Sequence, residues 1–108
     1  MLFRSWLPYP VPSTAAHEPS FVAGEDRRWV IPRYWRGPTW LFSTVFVLNG
    51  LIRLGRDVEA NHLVERTLEL IRGAGFREYF NPITGEGMGA RSFGVSTVAV
   101  ECSALLRA

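Results

Sequence analysis

The segment from Thr39 to about Leu54 constrains the fold of this chain most. Its apolar side chains recur at helical spacing and cover nearly the whole helix surface: Trp40, Leu41, Val45, Leu48, Leu51 and Ile52. A helix that is apolar on most sides has to be buried on most sides. Polar residues interrupt the run, which falls short of the roughly 20 apolar residues of a membrane span. The sequence therefore predicts a helix over 39–54, with Gly55 as its stop, that needs several neighbours and has no membrane partner.

Two further helices complete an all-α prediction. One covers 57–72, with Asp57 as N-cap and Gly73 and Gly75 after its end, and its apolar positions form one stripe. The other covers about 95–107. Residues 1–38 hold six of the seven prolines and read as loop-rich, and 75–94 reads as a long, turn-rich loop. No stretch alternates as a strand would.

Composition excludes several classes of function. With 108 residues and a 47% apolar share, the chain is one small globular domain. A single cysteine, Cys102, excludes an internal disulfide framework, and His17 and His62 lack the spacing of metal ligands. We therefore expect no metal and no cofactor. No signal peptide is recognisable, so the expected compartment is the cytoplasm.

Two stretches resemble binding motifs only weakly. The stretch GEGMGA, residues 85–90, lacks the preceding strand and the full spacing of a dinucleotide-binding motif, so a glycine-rich turn is the better interpretation. The stretch DRRWVIPRYWR, residues 26–36, mixes arginines with aromatic residues as single-strand binders do. Acidic neighbours and a net charge of only +2 argue against nucleic acid as a partner.

Two stretches carry candidate chemistry. RYWRGPTW, residues 33–40, places two tryptophans where a helix is about to start, which suits either a core or the wall of a sugar site. Glu78 is flanked by Phe76, Tyr79 and Phe80. Aromatic neighbours can desolvate a carboxylate, which suits general acid–base catalysis, whereas a solvated Glu near a helix end is the simpler alternative.

Three motifs together resemble one known family. PVPS at 10–13, YWRGPTW at 34–40 and GFREYFNPITGEGMGARSF at 75–93 resemble the C-terminal part of the bacterial form of glycoside hydrolase family 63, over residues 9–106. Mannosylglycerate and glucosylglycerate hydrolases belong to that family. The resemblance implies that residues 1–108 form the C-terminal segment of an (α/α)6 barrel, loop-rich over 1–38 and helical over 39–108.

The resemblance also implies a reaction and a set of site residues. The family hydrolyses glycosidic bonds with inversion, and its general base falls on Glu78. Aromatic residues that line the sugar pocket fall on Tyr34, Trp35 and Trp40. Arg36 is expected to bind substrate too. The carboxylate of a glycerate-linked sugar would suit Arg33, Arg36 or Arg91 as its partner. The implied partner is a small carbohydrate.

The family's general acid is an Asp from an upstream helix hairpin, and no residue here corresponds to it. We therefore expect the isolated chain to be inactive, and its implied partner is the missing N-terminal part of the barrel. A different class of function stays open: a helical assembly module that buries the 39–54 helix by self-association.

Overall fold

The computed structural model describes residues 6–24 and 35–107, and within them the fold is mainly helical. The helices are α1 (Leu41–Arg53), α2 (Asp57–Ala74) and α3 (Val98–Arg107), with a 3-10 turn at Gly94–Thr97 leading into α3. A small antiparallel hairpin joins β1 (Tyr79–Phe80) to β2 (Gly87–Met88), with Tyr79 facing Met88 and Phe80 facing Gly87. The all-α prediction is confirmed, with this minor sheet as an addition.

Glycines end the first two helices. Gly55 adopts a positive φ of 70°, and its N–H donates to the Ile52 carbonyl at 3.0 Å, which closes α1 as expected. Helix α2 runs through Gly73 to Ala74, so the predicted end at residue 72 is wrong by two residues. Gly75, with φ 78° and its N–H on the Ile71 carbonyl at 2.8 Å, is the residue that ends it.

The first and third helices start later than predicted, and the second starts at residue 57 as predicted but with a different N-cap residue. Helix α1 begins at Leu41, because Thr39 and Trp40 are held in extended conformation. Asp57 is the first residue of α2, and Arg56 occupies the N-cap position. The third predicted helix begins as the 3-10 turn and becomes α-helical only at Val98.

All three helices pack against one another around two apolar clusters. The larger lies between their middle turns and consists of Leu48, Leu51, Ala60, Leu63, Val64 and Cys102. The second ties the ends of the helices to the hairpin and consists of Leu41, Leu70, Phe80 and Ala99. The hairpin therefore belongs to the core, since Phe80 is completely buried.

Helix α1 keeps one apolar side uncovered by the described residues. Phe46 is 73% exposed and lies one turn from half-buried Phe42. The predicted burial on several sides is thus met where α2 and α3 pack, and not on this side. Within residues 6–24 and 35–107, no helix has the length and apolarity that a membrane crossing requires.

Three extended segments, residues 9–13, 36–39 and 78–82, pair with one another and form what we call the three-segment junction. The Thr39 N–H donates to the Phe80 carbonyl at 2.8 Å, and the Phe80 N–H donates back at 3.0 Å. The Thr39 hydroxyl donates to the Tyr9 carbonyl at 2.8 Å, and the Tyr9 N–H donates to the Pro82 carbonyl at 2.8 Å. Residues 9–13, 36–38 and 78–82 lie in segments that the sequence predicted as loops, whereas Thr39 was predicted as the first residue of a helix.

Gly37 lies where the 36–39 segment passes close to residues 13 and 22. The Gly37 N–H donates to the Ser13 hydroxyl at 3.0 Å, and the Val22 N–H donates to the Arg36 carbonyl at 2.7 Å. A Cβ at position 37 would collide with the Val22 carbonyl. Gly37 is therefore required where the 36–39 segment packs against Val22.

Burial of Cys102 predicts a pH-dependent stability. Desolvation, reinforced by Glu101, raises the pKa of the Cys102 thiol from 9.0 to about 11. The unfolded chain loses this proton first, so stability is fully present below pH 9 and falls as pH rises to about 11. We expect a loss on the order of 2–3 kcal/mol in the free energy of unfolding over that range.

Urea unfolding followed across that range checks the expectation, with Cys102→Ala as the matched control. The variant lacks the thiol, so its stability should fall less steeply than that of the wild type. Equal slopes would contradict the role assigned to Cys102.

Candidate functional site

Four aromatic side chains form what we call the aromatic stack: Trp35, Trp40, Phe42 and Tyr79. The Trp35 and Trp40 rings lie 4.1 Å apart at 8°, and the Trp40 and Tyr79 rings 5.0 Å apart at 27°. Phe42 meets both tryptophans edge-on, at 5.7 and 5.8 Å. Offset and edge-to-face contacts of this kind fix the rings relative to one another.

The three-segment junction brings two rings of the aromatic stack together. Thr39 and Phe80 pair in antiparallel fashion, so the residue after Thr39 comes to lie beside the residue before Phe80. Those residues are Trp40 and Tyr79. Trp40, which stacks with both Trp35 and Tyr79, is only 5% exposed, whereas Trp35 is 49% exposed. Trp40 therefore supports Trp35, and Trp35 is the ring that the stack presents to solvent.

Glu78 lies directly before β1 and is clamped by Ala90 across the hairpin. The Glu78 N–H donates to the Ala90 carbonyl at 2.9 Å, and the Ala90 N–H donates to the Glu78 Oε2 at 2.8 Å. Within the described residues the other carboxylate oxygen, Oε1, makes no hydrogen bond. The Ala90 N–H thus holds the carboxylate through Oε2, and Oε1 stays available to accept a hydrogen bond.

Gly89 packs against both the Glu78 carboxylate and the Tyr79 ring of the aromatic stack. A Cβ at position 89 would lie 2.6 Å from Glu78 Oε2 and 2.6 Å from Tyr79 Cε1, and φ at this residue is +71°. Both atoms therefore border the same glycine and lie beside each other. Only glycine satisfies the close approach and the backbone conformation together.

The other two glycines of GEGMGA are also explained by packing. At Gly85 an added Cβ would lie 2.9 Å from the Tyr9 ring, and at Gly87 it would collide with the side chain of Arg77. The motif therefore serves contacts inside this chain, as expected for a glycine-rich turn.

The structure brings three of the five predicted site residues together. Glu78, Trp35 and Trp40 are linked through Tyr79, as described above. Arg36 is half-buried, and within the described residues its side chain has no hydrogen bond. Tyr34 lies outside the described residues.

Four residues of this arrangement are absent from the predicted site: Phe42, Tyr79, Gly89 and Ala90. The sequence points to Tyr79 only as a neighbour of Glu78. The spacing of residues 78 and 90 would have suggested their pairing only if the hairpin had been recognised. Two-residue strands carry no period that could reveal it.

Two clefts lie beside the hairpin. One cleft of about 370 Å³ is bordered by Phe76, Arg77, Phe93 and Thr97, and another of about 680 Å³ by Tyr9, Glu69, Arg77 and Thr84. Glu78 lines neither of them. Within the described part of the chain, no three His, Cys, Asp or Glu side chains come together as a metal site would require.

The chain is similar to known glycoside hydrolases. Residues 3–96 match the family described as the mannosylglycerate hydrolase MGH1-like glycoside hydrolase domain. The mannosylglycerate hydrolase of Rubrobacter radiotolerans is 48% identical over 61 residues, which cover 56% of this chain and 14% of that protein. Mannosylglycerate hydrolase MGH1 of Selaginella moellendorffii is 37% identical over 98 residues, which cover 91% of this chain and 18% of that protein.

Solved structures of mannosylglycerate hydrolases are also similar to this chain. The GH63 mannosylglycerate hydrolase from Thermus thermophilus, in complex with glucose, superposes with a TM-score of 0.75 at 34% identity. The match covers 89% of this chain and 22% of that one. The same enzyme in complex with Tris and D-glycerate matches equally well, over 90% and 21%.

This chain thus spans about a fifth of the length of the solved relatives. Its helical fold matches a segment of these (α/α)6-type structures, as the resemblance implied. A family match over residues 3–96, together with the superposition, confirms that the chain belongs to the mannosylglycerate hydrolase MGH1-like glycoside hydrolases of family 63.

Proposed function

We propose that this segment supplies the general base and one sugar-binding wall of a glycoside hydrolase site. Hydrolysis of a small glycoside of the mannosylglycerate type is the activity to which it contributes. The observation that carries the proposal is the Glu78 carboxylate, held through Oε2 by the Ala90 N–H beside the aromatic stack. A carboxylate next to stacked aromatic rings is an arrangement suited to sugar chemistry.

In the proposed reaction Glu78 acts through its second oxygen. Oε1 accepts a proton from a water molecule as that water attacks the anomeric carbon, and the glycosidic C–O bond breaks on the opposite face. Inversion requires a second carboxyl group roughly 6.5–9.5 Å away to protonate the leaving oxygen. We place that acid on the remaining part of the barrel, which is why the isolated chain is expected to be inactive.

Trp35 is proposed to carry the sugar. Its indole ring is half exposed and lies flat on Trp40, so its outer face is held in a fixed plane. A pyranose presents an apolar C–H face that can stack on such a ring. Arg36 and Tyr34 are proposed as neighbouring contacts, with Arg36 suited to the carboxylate of a glycerate group. The glucose and D-glycerate named for the Thermus thermophilus structures support this ligand class.

A graft tests the role of Glu78. The matched segment of the Thermus thermophilus enzyme is replaced by these residues to give what we call the grafted hydrolase. In it, Glu78→Gln should lower kcat for mannosylglycerate by about 10²–10⁴-fold, because the amide cannot accept the proton from water. Steady-state kinetics measure the effect, with the unfused 108-residue chain as the inactive blank.

The matched control is Glu86→Gln, which removes an exposed carboxylate from the same hairpin. Its kcat should stay within about twofold of the parent, as for a surface change that leaves the transition state untouched. If Glu78→Gln kept the parent activity, or if the unfused chain hydrolysed mannosylglycerate, the proposed function would be wrong.

Trp35 should affect binding more than chemistry. In the grafted hydrolase, Trp35→Ala should raise KM about tenfold and lower kcat less, because stacking is present in both ground and transition state. Trp6→Ala is the control, since Trp6 stacks on His62 at 5.5 Å and not on the aromatic stack. An unchanged KM for Trp35→Ala would remove Trp35 from the sugar site.

One observation favours a second candidate function, assembly with other helices. Phe46 on α1 is 73% exposed and Val100 on α3 is 62% exposed. If the chain acts as an assembly module, sedimentation velocity will show a defined oligomer that dissociates on dilution. Phe46→Ser should then abolish the oligomer, whereas a monomer at all concentrations argues against this candidate.

A further inference from the structure

Arg77 has an unusual environment for an arginine. Its Nη2 donates to the Gly89 carbonyl at 3.0 Å, while its Nε is buried and has no hydrogen-bond partner within the described residues. None of the ion pairs recorded for the described residues includes Arg77. Leaving a buried donor unpaired costs stability, so packing alone does not account for an arginine at this position.

The position of Arg77 is fixed from several directions. The Ser96 hydroxyl donates to its carbonyl at 2.5 Å. Gly87 makes room for its aliphatic stem, since a Cβ there would collide with that stem. The guanidinium is therefore brought to the hairpin by a backbone that is itself anchored.

Arg77 and Glu78 bind the two sides of one peptide group. The carbonyl of Gly89 and the N–H of Ala90 belong to the same planar peptide, in which they point in opposite directions. Arg77 donates to that carbonyl, and the N–H donates to Glu78 Oε2 at 2.8 Å. Two neighbouring residues thus hold this peptide between them.

The orientation of the Gly89–Ala90 peptide affects the orientation of the Glu78 carboxylate. A peptide that follows a glycine with a φ of +71° can rotate at low cost, because Gly89 has no Cβ to oppose it. A cation on the carbonyl fixes the orientation of the peptide and polarises it, which strengthens the N–H as a donor. Oε2 is then kept on Ala90, and Oε1 is kept available.

We propose that Arg77 is a positioning residue, which orients the Glu78 carboxylate by clamping the Gly89–Ala90 peptide. It touches neither substrate nor reacting atoms and acts only through this peptide. The inference rests on the proposed role of Glu78 as general base. Its structural part, the clamp on the Ala90 N–H, can be tested without any reaction.

The first test uses the 108-residue chain and amide NMR. Arg77→Met keeps a similar stem but has no donor, so the Ala90 amide proton should move upfield and exchange with solvent about tenfold faster. Arg77→Lys retains one cationic donor and should give intermediate values. The control is Arg72→Met, which removes an exposed arginine from the last turn of α2 and should leave the Ala90 amide unchanged.

The second test uses the grafted hydrolase. Arg77→Met should lower kcat about 10- to 100-fold with KM within about twofold, because a misoriented base slows the chemical step and leaves binding intact. Arg77→Lys should recover part of the loss. Recovery by a conservative cation is the readout that a purely structural role would not give. Should the Met variant fail to fold, the Lys variant alone still has to show a displaced Ala90 amide and a reduced kcat.

The outcomes separate this inference from the proposed function. An unchanged Ala90 amide in the Arg77 variants overturns the clamp, whatever the kinetics of Glu78→Gln. A displaced amide with unchanged kcat overturns the positioning role. Loss of the Ala90 bond, loss of kcat and partial rescue by Lys together support it. An active Glu78→Gln enzyme instead removes the proposed base, and the positioning role with it.

Discussion

The backbone pairing of Thr39 with Phe80 is the interaction on which the rest of this arrangement depends. Both residues are completely buried, and each donates its N–H to the carbonyl of the other. The pairing joins positions that are 41 residues apart in sequence, and the Thr39 hydroxyl adds the N-terminal segment through Tyr9. It sets the start of α1, seats the hairpin in the core and brings Trp40 beside Tyr79. A shift of register would leave these buried backbone groups without partners, so the pairing opposes it.

The long helices could be predicted because their apolar residues repeat with the helical period over three or more turns. The sequence also indicated correctly that glycines end the first two helices. Gly55 and Gly75 adopt positive φ and end α1 and α2. The shifts at the helix starts came from tertiary structure. Thr39 and Trp40 would extend α1 on local preference, but the junction holds Thr39 extended.

The hairpin and the aromatic stack could not be predicted, because their stabilising contacts lie far apart in sequence. Strands of two residues have no periodicity, and Tyr79 reads equally well as a loop residue. Trp35 and Trp40 are five residues apart, yet their rings lie parallel only because the chain between them turns at Gly37 and extends at Thr39. Its aromatic neighbours in the sequence pointed to the candidate carboxylate, Glu78, and the family resemblance implied its role as general base. The Ala90 bond that orients it came from the structure.

The glycines at 85, 87 and 89 show how a motif that suggests a ligand can instead record intrachain packing. Each of them faces a different neighbour: the Tyr9 ring, the Arg77 stem and the Glu78 carboxylate. A Cβ at any of them would displace a residue that joins the hairpin to the junction or orients the candidate base. The motif is therefore a constraint on geometry, since it keeps the hairpin close enough for the Gly89–Ala90 peptide to reach Glu78. The Glu78 carboxylate is thus oriented by backbone groups that the hairpin and the junction hold in place, and the helices support both.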